Sequence, residues 1–260
     1  MNILGRRVYG AAAILLGLIG LWWGDFASTW QPVPDDTPHR QALAYAAALV
    51  FVIAGAALQW RRSARPAALV LAALYAVFML LWLRRVIGFP GMSGTWLGCA
   101  EELGLVVGGI VAAVSLDEGA RAATIAHVGR IVFGICLVVY AMGHFLNLQL
   151  TAAMVPGRLP PDAMFWAIAT GIGHLAAGIA LISGVWARLA AILATAMFAA
   201  FGLLVWLPML LAHPAAHINW GGSAVTLALV GSVWVVADAI ARFRLSLPIA
   251  ATPIRAALAA

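Results

Sequence analysis

The sequence predicts an all-α integral membrane protein of eight transmembrane helices, arranged as two parallel four-helix-bundle repeats. Three observations predict it. Of its 260 residues, 65% are hydrophobic and only 9% are charged, where a soluble domain carries roughly 45–50% apolar and about 25% charged residues. The apolar residues fall into eight long stretches, each of about the 20 residues needed to cross the hydrocarbon core. Short motifs of the first half also return in order in the second half, nearly always 123 or 124 positions later.

The expected spans are residues 8–28, 42–59, 66–83, 95–116, 131–150, 163–184, 189–211 and 220–241. The first follows Arg6 and Arg7, as the apolar core of a signal peptide would. No small-x-small cleavage site comes after it, so it is expected to be retained as a working span. Turn and breaker residues then punctuate the chain. Gln31-Pro-Val-Pro-Asp-Asp36 separates the first two spans, and Arg61-Arg-Ser-Ala-Arg65 the next two. Phe89-Pro-Gly-Met-Ser-Gly94, Val155-Pro-Gly-Arg-Leu-Pro-Pro-Asp162 and Ala212-His-Pro-Ala-Ala-His217 precede the fourth, sixth and eighth.

All 15 basic residues are Arg, against 9 acidic residues, for a formal charge of +6. The arginines lie scattered at span ends, which fits topology and anionic headgroups and argues against a nucleic-acid partner. Eight spans put both termini on one side. That side collects Arg6, Arg7, Arg61, Arg62, Arg65, Arg121, Arg130, Arg188, Arg242, Arg244 and Arg255, and the other has Arg40, Arg84, Arg85 and Arg158. The positive-inside bias therefore places the termini in the cytoplasm, in a bacterial-type cytoplasmic (inner) membrane. Cys99 and Cys136 have no partner spacing for a disulfide framework or a zinc site. The chain has no Walker loop, dinucleotide fingerprint, HExxH or GxSxG motif.

The duplication is carried by five matches. Gly5-Arg-Arg-Val-Tyr-Gly10 returns as Gly129-Arg-Ile-Val-Phe-Gly134, and Gly24-Asp-Phe26 as Gly143-His-Phe145. Ala54-Gly-Ala-Ala-Leu58 matches Ala177-Gly-Ile-Ala-Leu181, Ala64-Arg-Pro-Ala-Ala68 matches Ala187-Arg-Leu-Ala-Ala191, and Trp96-Leu-Gly-Cys-Ala100 matches Trp220-Gly-Gly-Ser-Ala224. The domains are then 1–123, a divergent first repeat, and 124–260, a second. An even number of spans gives both copies the same orientation, related by an axis along the membrane normal.

Ionisable groups at membrane depth are costly and are functional candidates by default. On the fifth span Cys136, Tyr140, His144, Asn147 and Thr151 recur at three and four residues, so they share a helical face. Thr170 and His174 share a face of the sixth span. Glu101 and Glu102 on the fourth are about 100° apart, so at most one of them points squarely at a given pocket. Counting about 1.5 Å of rise per residue places His144, Glu101 and Asp25 in the outer half, with His174 deeper. The first repeat thus supplies carboxylates (Asp25, Glu101, Glu102) and the second imidazoles. We expect His144, His174 and Glu101 as reacting groups, with Asp25, Glu102, Tyr140, Asn147 and Trp220 binding a ligand beside them, and no metal. Haem ligation by His144 and His174 is disfavoured because the rise separates them by about 5–10 Å along the normal. His213 and His217 have a metal-compatible spacing, but Pro214 and the lack of a third ligand count against that. The bland reading of every polar group is interhelical hydrogen bonding that fixes packing.

The second half, from Gly129 to about Asp238, resembles the DoxX-like family of small four-helix membrane proteins. The carrying residues are Gly129-Arg-Ile-Val-Phe-Gly134, Gly143-His-Phe145, Thr151-Ala-Ala-Met-Val-Pro156 with Leu159-Pro-Pro161, Phe165-Trp-Ala167, Thr170-Gly-Ile-Gly-His174, Ala177-Gly178 and Ala187-Arg-Leu-Ala-Ala191. The family pattern carries a polar residue, often Lys or His, where His144 stands, and an acidic or His residue where His174 stands. The first half is similar only through the repeat. It lacks the Val-Pro and Leu-Pro-Pro loop and the second-helix ionisable residue. The resemblance implies a membrane component of redox systems, the best-described relatives being subunits of a thiosulfate:quinone oxidoreductase. The expected function is a membrane-embedded redox subunit that binds a quinone or similar lipophilic carrier. Its partners would be the lipid bilayer and a redox partner subunit or a second copy of the chain. Alternatives are a non-enzymatic anchor or assembly subunit, and a small-solute or proton transporter. The transporter is weakened because Pro208 in the seventh span has no counterpart in the third.

Overall fold

The structure, a computed structural model, describes residues 3–27 and 29–245. The described residues form helices and no β-strand: α1 (Leu4–Trp23), α2 (Arg40–Ala57), α3 (Ala64–Gly88), α4 (Ser93–Val114), α5 (Ala120–Leu146), α6 (Leu148–Met154), α7 (Ala163–Ser183), α8 (Ala187–Phe201), a π-turn (Gly202–Trp206), α9 (Leu207–Ala212) and α10 (His217–Phe243). Taking α8, the π-turn and α9 as one, eight helices among the described residues are long and apolar enough to cross a membrane. The chain is a multi-pass membrane protein in contact with lipid. Ser28, at the end of the first expected span, and Arg255, one of the arginines used for orientation, lie outside the described residues.

Local chemistry sets the ends. Gly24, at φ 63°, and Gly184, at φ 85°, close α1 and α7 in the left-handed conformation that a side chain disfavours. The Asp162 carboxylate accepts the Phe165 N–H at 2.8 Å and caps α7. Several helices outrun their apolar stretches. α3 continues through Arg84 and Arg85 to Gly88, and α5 starts at Ala120 rather than near Ile131. Arginines are tolerated in the end turns of a spanning helix because their long stems reach the interface. The fifth stretch also breaks before its apolar end: Asn147, at φ −124° and ψ 41°, separates α5 from α6.

α4 and α10 occupy the centre. In them 72% and 78% of the apolar stretch is buried, against 22–50% in the other six. Around this pair, α1 packs on α2 and α10, α5 on α7 and α4, α3 on α4, and α8 on α10 and α7. Large apolar side chains such as Trp22, Ile53, Ile87, Leu193 and Leu211 point outward, as lipid contact requires.

Small residues set the close crossings. A Cβ on Gly55 would lie 2.6 Å from the Gly10 carbonyl oxygen, and one on Gly178 would lie 2.8 Å from that of Gly134. Gly5 packs on Val235 and Gly129 on Val111; Gly129 stands 124 positions after Gly5, and Val111 stands 124 positions before Val235. At the centre Gly108 faces Ser232, which stands 124 positions later, and the Ser232 hydroxyl donates to the Gly104 carbonyl at 2.7 Å. Trp96 and Trp220 each donate the indole N–H to the carbonyl six residues earlier, on Pro90 at 2.9 Å and Pro214 at 2.8 Å.

Candidate functional site

Tyr140 and His144 stand one turn apart on α5, and Thr170 and His174 one turn apart on α7. The Gly134–Gly178 crossing brings these faces together. The His144 and His174 rings meet edge to face with centroids 5.0 Å apart, and Tyr140 lies 5.5 Å from His174. Phe198 and Phe201 of α8 close on His174 at 5.4 and 5.9 Å. The two imidazoles are nearer than helical rise counted from the span ends suggests, because those apolar edges do not coincide with the helix ends. Their direct contact leaves no room for a porphyrin between them.

Hydrogen bonds fix which atom of His144 is available. The Thr170 hydroxyl donates to the Trp166 carbonyl at 2.7 Å, so its oxygen is left to accept. His144 Nδ1 lies 3.2 Å from that oxygen and 3.4 Å from the Ala167 carbonyl. Two acceptors call for an N–H at Nδ1, which leaves Nε2 with its lone pair. His174 is 1% exposed, and its Nδ1 makes no hydrogen bond. A buried polar atom without a partner costs about 1–3 kcal/mol and commonly marks a place for a ligand or water.

These groups line a cavity of about 810 Å³ between α4, α5, α6, α7, α8, the π-turn and α10. That is within the few hundred to about 1,000 Å³ typical of small-molecule sites. The polar lining is His144, His174, Glu101, Tyr140, Asn147, Thr151, Thr170 and Thr226, and the rest is largely apolar. Glu101 reaches it from α4, with the Trp30 side chain as hydrogen-bonding partner. The Tyr140 hydroxyl donates to the Ala100 carbonyl at 3.1 Å, so its oxygen can only accept further. The Asn147 amide donates to Ser93 Oγ at 2.8 Å and to the Gly143 carbonyl at 2.9 Å, tying the end of α5 to the start of α4.

Five of the eight residues singled out in the sequence meet here, and three lie elsewhere. Asp25 pairs with Arg40, which also reaches Asp35 at 3.5 Å. Glu102, one residue on from Glu101, is buried away from the cavity in the first half, its Oε2 without a partner; there Tyr9, Phe51, Tyr75 and Phe78 fill the interior. Trp220 clamps the loop before α10 through Pro214. His217 stacks on Trp23 at 4.8 Å. Among the described residues no group of three or more His, Cys, Asp or Glu could hold a metal ion, and both cysteines are free. Sequence reading passed over Trp30, Phe198 and Phe201. Trp30 lies in a loop, and nothing local ties it to Glu101. Phe198 and Phe201 form an aromatic i,i+3 pair that reads as ordinary core.

The fold and the cavity define a class: multi-pass helical membrane proteins whose interior holds ionisable side chains around a ligand-sized space. Residues 125–207, which run from within α5 through α6, α7, α8 and the π-turn, match the family model DoxX, so the resemblance read from the sequence holds over that segment. No curated protein and no solved structure matches the chain.

Proposed function

We propose that the protein is a membrane-embedded redox component that binds a quinone-type lipophilic carrier in the second-half cavity. The observation that carries this reading is the cluster of His144, His174 and Glu101 at the wall of an otherwise apolar chamber. A carrier ring needs a few polar contacts at membrane depth and an apolar path for its chain. Leu150, Met154 and Leu159 on one side and Leu204 and Val205 on the other supply apolar wall. His144 Nε2, as an acceptor, suits the hydroxyl of the reduced form, the hydroquinone, and can take its proton. His174 Nδ1 and Glu101 offer further polar contacts for the ring oxygens.

The same reading takes the chain as a duplicated four-helix unit, 1–123 and 124–260, with both termini cytoplasmic and the membrane a bacterial-type inner membrane. The paired crossings at Gly10–Gly55 and Gly134–Gly178, and the contact of Gly108 with its counterpart Ser232, support the duplication. One copy would keep the cavity and the other a packed interior.

The test is equilibrium binding of decylubiquinol to the purified protein in lipid nanodiscs. Saturable binding is expected, weakened at least about tenfold by His144→Ala, since about one hydrogen bond is worth a factor of ten. The Thr170–His144 bond favours a second reading, in which the polar groups serve packing alone. Under it the wild type binds no carrier, His144→Ala lowers thermal stability, and His144→Gln restores it.

A further inference from the structure

The helix after α7 is one residue longer than its counterpart in the first half, and the extra residue sits at the cavity. α3 runs 25 residues from Ala64 to Gly88, and its counterpart runs 26 from Ala187 to Ala212. At the start the offset is 123: Ala64 pairs with Ala187, Tyr75 with Phe198 and Phe78 with Phe201. By the end it is 124, with Trp82 pairing with Trp206 and Gly88 with Ala212. Both ends keep like contacts. Phe78 stacks on Phe51 as Phe201 packs on His174, Phe51 and His174 being counterparts at 123. Trp82 packs on Gly98, and Trp206 on Gly222. The surplus is absorbed between Phe201 and Trp206, where the backbone widens into the π-turn Gly202–Trp206 and the Leu207 N–H bonds to Gly202 five residues back. π-turns inside α-helices are rare and recur at functional sites.

At matched places the first half holds buried rings and the second half a cavity wall. Tyr9, Phe51, Tyr75 and Phe78 are each at most 2% exposed, whereas no π-turn residue is buried and Leu204, Val205 and Trp206 form cavity wall. We infer that a single inserted residue, held as the π-turn, opens the second-half cavity and determines which carriers it admits. This rests on the proposed carrier site and deepens it, by naming the element that shapes the chamber. Keeping Phe201 on His174 and Trp206 on Gly222 while lengthening the chain between them moves Leu204 and Val205 outward and leaves space for a ring and the start of an apolar chain.

Deleting Leu203 tests this. Leu203 is 63% exposed and is not part of the cavity wall, so its removal restores an α3-like length without removing a lining side chain. In a background lacking Cys99 and Cys136, a cysteine at Thr170 should react with methyl methanethiosulfonate, and the deletion should slow that reaction at least about tenfold in folded protein. The same deletion should weaken decylubiquinol binding at least about tenfold, while Leu203→Ala leaves both readouts within about twofold. Should the deletion prevent folding, Leu204→Trp fills the wall in place and should weaken decylubiquinol binding by the same factor. A folded deletion variant with unchanged Thr170→Cys reactivity, or a folded Leu204→Trp protein with unchanged affinity, overturns the inference. Failure of the wild type to bind decylubiquinol, with the deletion still closing off the cysteine, defeats the carrier reading alone.

Discussion

Two acceptors on α7, the Thr170 hydroxyl oxygen and the Ala167 carbonyl, decide what His144 can do. The Thr170 proton goes to the Trp166 carbonyl and the Ala167 carbonyl can only accept, so His144 donates through Nδ1 and presents Nε2 as an acceptor. Thr170→Val removes that oxygen at nearly constant volume, so the ring loses its anchor while the packing stays. Decylubiquinol affinity should fall about tenfold with little change in melting temperature, measured side by side on one preparation; an unchanged affinity would show that the Thr170 anchor does not matter to binding. Much of this side of the site was legible in the sequence. Tyr140, His144, Asn147 and Thr151 recur at helical spacing, and a polar stripe in an apolar span must face protein or water. Asp25 and Glu102 were not legible. Asp25 is drawn off by Arg40, fifteen residues away across a loop. Glu102 turns from the cavity because α4 must show one of two adjacent carboxyls to each half, and sequence alone does not say which.

At the scale of elements, close crossings position the site. Gly178 meets Gly134 with no room for a side chain, and this contact holds α7 against α5 so that His174 reaches Tyr140 and His144. Gly178→Leu should separate the helices or unfold the pair. Overpacking costs typically 1–3 kcal/mol, so a drop of several degrees in melting temperature is expected, together with weakened carrier binding. A melting temperature equal to wild type would contradict the packing account. The glycine was visible in the repeat, but its partner was not. The helix ends were also hidden: apolar runs stop at arginines, whereas helices such as α3 carry on through them. The expected fifth span, 131–150, runs into the first three residues of α6, and only the backbone at Asn147 shows the break. The π-turn left a faint signal, the shift of offset from 123 to 124, which is meaningless until both helices are seen to keep the same end contacts.

For the molecule as a whole, the composition had already determined the class. A chain this apolar has too little polar surface to cover itself in water, and eight spans followed from length. The orientation rests on the arginine bias and is open to a direct check. In a background lacking Cys99 and Cys136, cysteines at Arg62 and Arg158 should differ in intact cells: an impermeant thiol reagent should label the second and not the first. The reverse pattern would invert the topology. What the sequence could not supply was the asymmetry between the halves. The motifs repeat, yet Phe51 and His174 stand at matched places, so one interior is packed with rings and the other holds imidazoles around a chamber.

The central claim is that the second-half cavity takes a lipophilic redox carrier, and its most direct test is photoaffinity labelling with an azidoquinone in nanodiscs followed by peptide mapping. Label should appear within residues 140–206, chiefly on α6, α7 and the π-turn, and excess decylubiquinol should displace it. Label that cannot be displaced, or that falls on α1, α2 and α3 instead, would contradict the account.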